Sequence, residues 1–124
     1  MAKKSVLRDK SYAFAVRMVN FYQFLRNEKS EFVLSKQILR SGTSIGANIE
    51  EASGTQSCKD FTAKLHIALK EARETHYWIR LLHDTDFISS EQCDDLLKDA
   101  EEIIALLTAS LKTIKANDTK ANAS

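Results

Sequence analysis

Proline is absent from all 124 residues, and glycine stands only at Gly42, Gly46 and Gly54. With so few breakers, the chain is suited to long helices joined by tight connections. Long hydrophobic runs are also missing. The uninterrupted apolar stretches, such as Tyr12 to Val16 and Ile103 to Leu107, are about a quarter of the length a membrane-crossing helix needs. Met1-Ala2-Lys3-Lys4-Ser5 is basic but leads into charged residues rather than a secretory apolar region, so a cytoplasmic location is expected. On that expectation the sequons at Asn117 and Asn122 carry no meaning. Cys58 and Cys93 are the only cysteines. They open successive antiparallel helices, which puts them on the order of 40 Å apart, whereas a disulfide needs Cα atoms within roughly 7 Å. Both are expected to be free thiols.

What is present is a 3.5-residue apolar period in four stretches. The third is the cleanest: Phe61, Leu65, Ala68, Ala72, Thr75, Ile79 and Leu82. That period lets helices pack at shallow crossing angles, and short connections favour antiparallel neighbours. The fold class is therefore all-α, an antiparallel up-down-up-down four-helix bundle. It forms a single domain over 1–115, with a disordered tail over 116–124 that has no large apolar group. Helix one spans about Ser5–Asn27, helix two Glu31–Ser53, and helix three follows Ser57 to about Asp84. Helix four starts at Ser89 or Ser90 and ends near Ala116. In helix two, Ser41-Gly42-Thr43-Ser44 reads locally as a turn. The seam of Leu34, Ile38, Ser41, Ile45, Ile49 and Ala52 nevertheless keeps its phase, so a continuous helix is expected, with a break at Gly42 as the alternative. Gly42 and Gly46 would then mark a face that another backbone approaches, and Gly54 a left-handed terminator.

Helix one is apolar on two sides. Beside its seam (Leu7, Ser11, Phe14, Met18, Phe21 and Leu25) runs a second stripe of Tyr12, Ala15, Val16, Val19 and Tyr22. A peripheral bundle helix needs one stripe, so the second points to self-association. In the competing reading, Tyr12 and Tyr22 lie half-exposed over the core edge.

Candidate chemistry is sparse. Gly42-Thr43-Ser44-Ile45-Gly46 matches the G-x-S-x-G nucleophile elbow, but no strand precedes it, so Ser44 reads as a small packing residue. No Glu-x-x-His occurs, and His66, His76 and His83 are confined to helix three, so no metal or other cofactor is expected. A polar heptad on helix two (Gln37, Ser41, Ser44, Asn48, Glu51) can face Lys64, Glu71, Glu74 and Trp78. This predicts a structural hydrogen-bonded network of Arg40, Asn48, Glu71 and Glu74, because buried polar groups need partners.

Charge is unevenly spread around a net +1. Residues 1–49 hold nine Lys/Arg against three Asp/Glu, or +6; residues 50–124 hold nine against fourteen, or −5. Lys3, Lys10 and Arg17 form a heptad stripe on helix one, and Lys29, Lys36 and Arg40 form a basic set on helix two. The plain reading is a solvated face; the sharper one is a polyanion surface that would bind RNA or DNA in a salt-dependent way.

The segment Gln37-Ile38-Leu39-Arg40-Ser41-Gly42-Thr43-Ser44-Ile45-Gly46-Ala47-Asn48-Ile49-Glu50-Glu51-Ala52 resembles the Q-x-x-R-S-x-x-S-I-x-x-N-I-x-E-x signature of the bacterial four helix bundle family, also called 23S rRNA intervening-sequence proteins. Lys70-Glu71-Ala72-Arg73-Glu74-Thr75-His76-Tyr77-Trp78 is similar to that family's K-E-A-x-E-T-x-Y-W. With Asp60-Phe61 and the aromatic first helix, the resemblance covers nearly everything except the tail. It implies an antiparallel bundle assembling into a ring of five, without catalytic residues. A related branch, the accessory protein of diversity-generating retroelements, is a markedly basic pentameric barrel that binds nucleic acid and a reverse transcriptase.

The leading expectation is thus a non-enzymatic homo-oligomeric scaffold or adaptor whose partners are itself and, through helices one and two, RNA or DNA. Neither a membrane nor a small-molecule substrate is expected. The alternative is a dedicated nucleic-acid-binding accessory protein, and an enzyme using the bundle core is the third class.

Overall fold

The polar residues between the seams start and stop the helices in a computed structural model that describes residues 5–123, with side chains through residue 120. The Ser5 hydroxyl accepts the Arg8 amide at 3.2 Å and opens α1, Val6–Lys29. Ser30, left-handed at φ 52°, closes that helix, its amide donating to the Leu25 carbonyl. Helix α2 spans Leu34–Ser53. Glu31, expected inside this helix, lies before it. Its carboxylate accepts the Ser35 amide at 2.6 Å and the Val33 amide at 3.3 Å. A carboxylate there satisfies donors that have no intrahelical partner and meets the positive end of the helix dipole. Ser57 caps α3, Cys58–Asp84, accepting the Asp60 amide at 3.0 Å. Ser89 and Gln92 exchange side-chain and backbone bonds of 3.0 and 3.1 Å to open α4, Ser90–Ala123.

Helix α2 is unbroken across Gly42, as the seam's phase requires. Both of its glycines are buried against α1. A Cβ on Gly42 would sit 2.3 Å from Met18 Cγ, and one on Gly46 would sit 3.2 Å from the Ser11 carbonyl oxygen. Close approach, not turn geometry, is what demands glycine here. Gly54 corrects an expectation: its φ of −95° is right-handed, and the left-handed positions are Ser30 and Asp86. A second difference is the length of α4, which continues to Ala123 where a tail was expected from residue 116. Alanines, lysines and Thr119, whose hydroxyl bonds the Lys115 carbonyl, let the helix propagate without apolar cover.

The four helices form an antiparallel up-down-up-down bundle. Helix α1 packs on α2, α2 on α3 and α3 on α4, while α1 and α4 meet more sparingly. One core runs through it, with Met18, Leu25, Ile38, Ile45, Ile79, Leu82 and Leu107 fully enclosed. Its buried hydroxyls are satisfied. Ser41 and Thr75 share a bond of 2.8 Å between α2 and α3, and Thr75 also bonds the Glu71 carbonyl at 2.8 Å. Among the described residues no helix is long and apolar enough to cross a membrane.

Candidate functional site

Lys10 and Arg17 are two turns apart on α1, so they share one side of it. Opposite them, α4 carries Asp95, Asp99 and Glu102, whose i, i+4, i+7 spacing likewise sets three carboxylates in one row. The rows meet. Lys10 pairs with Glu102, and Arg17 forks onto Asp95 and Asp99. Burial alone would lower the Arg17 pKa, but the hydrogen bonds it donates to Asp99 and Asp95, with their negative charges, outweigh it and hold the guanidinium above its ordinary value. The bond Lys10 donates to Glu102 likewise raises the pKa of its ammonium group. These pairs bridge the sparsely packed α1–α4 edge and border cavities of about 270 and 250 Å³.

Arg40 follows the same rule. Its guanidinium donates to Glu71 at 3.1 Å and to Glu74. Glu74 also accepts the Trp78 indole N–H at 3.0 Å. That indole bond is the largest single cause holding the Glu74 carboxyl below its usual range; burial opposes it, and the hydrogen bond and positive charge of Arg40 add to it. Asn48 stands outside the network in which the sequence placed it. It lies eight residues, about 12 Å, beyond Arg40 along the helix, and its amide donates to the Ser44 carbonyl at 2.8 Å.

Together with Arg8 on Glu50 at 2.8 Å, each of these pairs joins the basic first part of the chain to the acidic remainder. Much of the asymmetry of +6 against −5 is thus neutralised within the chain itself. Of the six cations read as a polyanion surface, Lys10, Arg17 and Arg40 already hold carboxylates. Lys3 lies outside the described residues. Lys29 rests over the Phe24 ring at 5.8 Å, and Lys36 is exposed. Sequence reasoning missed Arg26, which lies 5.4 Å from the Tyr22 ring and 6.0 Å from that of half-exposed Phe32. Arg26, Lys29 and Lys36 thus flank the α1–α2 turn with no carboxylate partner among the described residues. The row of acids on α4 was the available signal for pairing, and three-to-four-residue spacing makes it readable.

The second stripe of α1 stays largely uncovered. Tyr12 is 67% exposed, Val16 48% and Val19 40%, while Ala15 and Tyr22 are half-buried. On α3, Ile67 and Tyr77 are also exposed, and Tyr77 sits edge-on to Trp78 with centroids 5.1 Å apart.

Nucleophile geometry appears where no motif announced it. His83 lies 3.0 Å from Asp84 Oδ1 through Nδ1 and 3.0 Å from Ser90 Oγ through Nε2. The Asp84 side chain is 74% exposed, so water screens this relay and little activation follows. Ser44 donates to the Arg40 carbonyl at 2.6 Å, the back-bond of a helical serine. Among the described residues no cluster of three or more His, Cys, Asp or Glu could hold a metal ion.

The model of the 23S rRNA-intervening sequence protein family matches residues 3–109, and the chain belongs to that family. A crystal structure of a protein of unknown function from the S23 ribosomal protein family of Bacteroides thetaiotaomicron is similar to it at 59% identity. The match covers 86% of this chain and 99% of that one, with a TM-score of 0.85. No significantly similar protein was found among functionally curated ones.

Proposed function

We propose that this member of the 23S rRNA-intervening sequence protein family is a non-enzymatic homo-oligomeric scaffold, assembled through the outer face of α1. The exposure of Tyr12, Val16 and Val19 carries the reading: a contiguous apolar stripe on an otherwise well-packed bundle is the usual mark of an interface. Closure into a ring needs two unlike patches. Ile67 and Tyr77 on α3 supply the second, and the family resemblance implies five copies.

Light scattering coupled to size exclusion tests the reading. The wild-type chain should elute as a defined oligomer at micromolar concentration. Val16→Asp with Val19→Asp should reduce it to a folded monomer, because valine and aspartate have similar helix propensities and the positions face outward. A wild-type monomer overturns the proposal.

A second reading, nucleic-acid association, is favoured by the α1–α2 turn rather than by the stripe on α1. There Arg26, Lys29 and Lys36 keep their charge available beside Phe32. Binding to structured RNA and duplex DNA across a salt series tests it, with Lys29→Glu plus Lys36→Glu as the variant. Absence of binding at low salt removes this reading.

A further inference from the structure

Between α3 and the far half of α4 an open groove of about 370 Å³ remains unfilled. Leu69, Leu111 and Ile114 make its lining mainly apolar. Thr62 and Thr108 are too small to close it, and α4 runs on past Asp118 as its wall. From Thr108 to Asp118 the wall extends ten residues, about 15 Å.

Lys112 and Lys115 stand on this groove. Arg8, Lys10, Arg17, Arg40 and Lys64 all hold carboxylates. Lys112 and Lys115 have no ion-pair partner among the described residues. His66 adds a further polar ring, and Asp118 is the single acid, outnumbered by the two lysines.

We propose that this groove binds a single-chain amphiphilic anion, a medium-chain carboxylate. Its tail lies on Leu69, Leu111 and Ile114, and its head lies on the ammonium groups of Lys112 and Lys115. The volume falls in the range of small-molecule sites, in which an apolar surface supplies affinity and a few polar groups fix orientation. Charge complementarity selects the anion: a cationic amphiphile of equal length would meet two ammonium groups, and an inorganic anion would leave the leucines wet.

Titration calorimetry of the full chain with decanoate and dodecanoate, below their micelle concentrations, tests this. Amide chemical shifts locate the contact. Saturable binding at one site per chain is expected, with shifts concentrated at Leu69, Thr108 and Leu111. Removing one methylene should weaken binding up to about fourfold. Decylamine should not bind. Lys112→Glu with Lys115→Glu, both at exposed positions, should leave the helical content and melting intact and weaken binding about tenfold or more. Thr108→Trp, which fills the groove, should abolish it. Four results would each overturn the proposal: no saturable binding, equal binding of decylamine, unchanged affinity in the double lysine variant, or shifts that map to the α1 stripe.

Discussion

Gly42→Ala sets two effects of known size against each other. Alanine in place of a helical glycine stabilises α2 by about 1 kcal/mol through backbone entropy. The added methyl, however, would lie 2.3 Å from Met18 Cγ and 2.8 Å from its Sδ, far inside contact distance. Met18 is fully enclosed and cannot swing into solvent. Overpacking of this kind costs about 1–3 kcal/mol. Thioether flexibility limits the strain, so the expected net is a loss of about 1 kcal/mol. Urea unfolding followed by far-UV circular dichroism, at one fixed protein concentration because the proposed assembly would shift apparent stability, reads this as a fall of roughly 0.5–1 M in midpoint. The decisive comparison is in a Met18→Ala background. That change alone costs about 2–5 kcal/mol, but it removes Cγ and Sδ and leaves only the Cβ of residue 18, at 3.1 Å, which has room to give; Gly42→Ala should there become stabilising, by up to about 1 kcal/mol. Stabilisation by Gly42→Ala in the native background, or no change of sign with Met18→Ala, would refute the reasoning.

Other outcomes follow from the same contacts. Glu31→Ala should cost about 1–2 kcal/mol, since it strips the cap from the first turn of α2, while Glu31→Gln should cost less because an acceptor remains; thermal melts separate the two. Glu74 has a depressed carboxyl pKa in the folded chain. Its contribution is therefore present above the ordinary carboxyl value of 4.5 and is lost as the pH falls through the lower folded value. Glu74→Gln should flatten the stability profile in that acid range while costing less than about 1 kcal/mol at neutral pH. If the acid slope is unchanged, Glu74 is not among the groups that set it.

The family reading and the interior were legible in one dimension. A 3.5-residue period survives every local objection, because burying a whole seam outweighs the turn preference of Ser41-Gly42-Thr43-Ser44. Helix ends were less legible. Glu31 looked like a helical residue, yet its carboxylate does more outside the helix than its backbone would within it. The fourth helix overran its expected end because nothing in residues 116–123 stops propagation.

Charge is where the linear reading misled most. A heptad of Lys10 and Arg17 looks the same whether it faces water, a phosphate backbone or a row of acids seventy-eight or more residues away. Only the packing of α1 beside α4 decided among these, since Coulomb energy depends on separation in space and not along the chain. Sequence by itself determined which side chains line the seams and that α1 carries a second apolar stripe beside its own. Tertiary structure decided which cations carry no ion pair among the described residues: those at the α1–α2 turn and the two lysines on the α3–α4 groove.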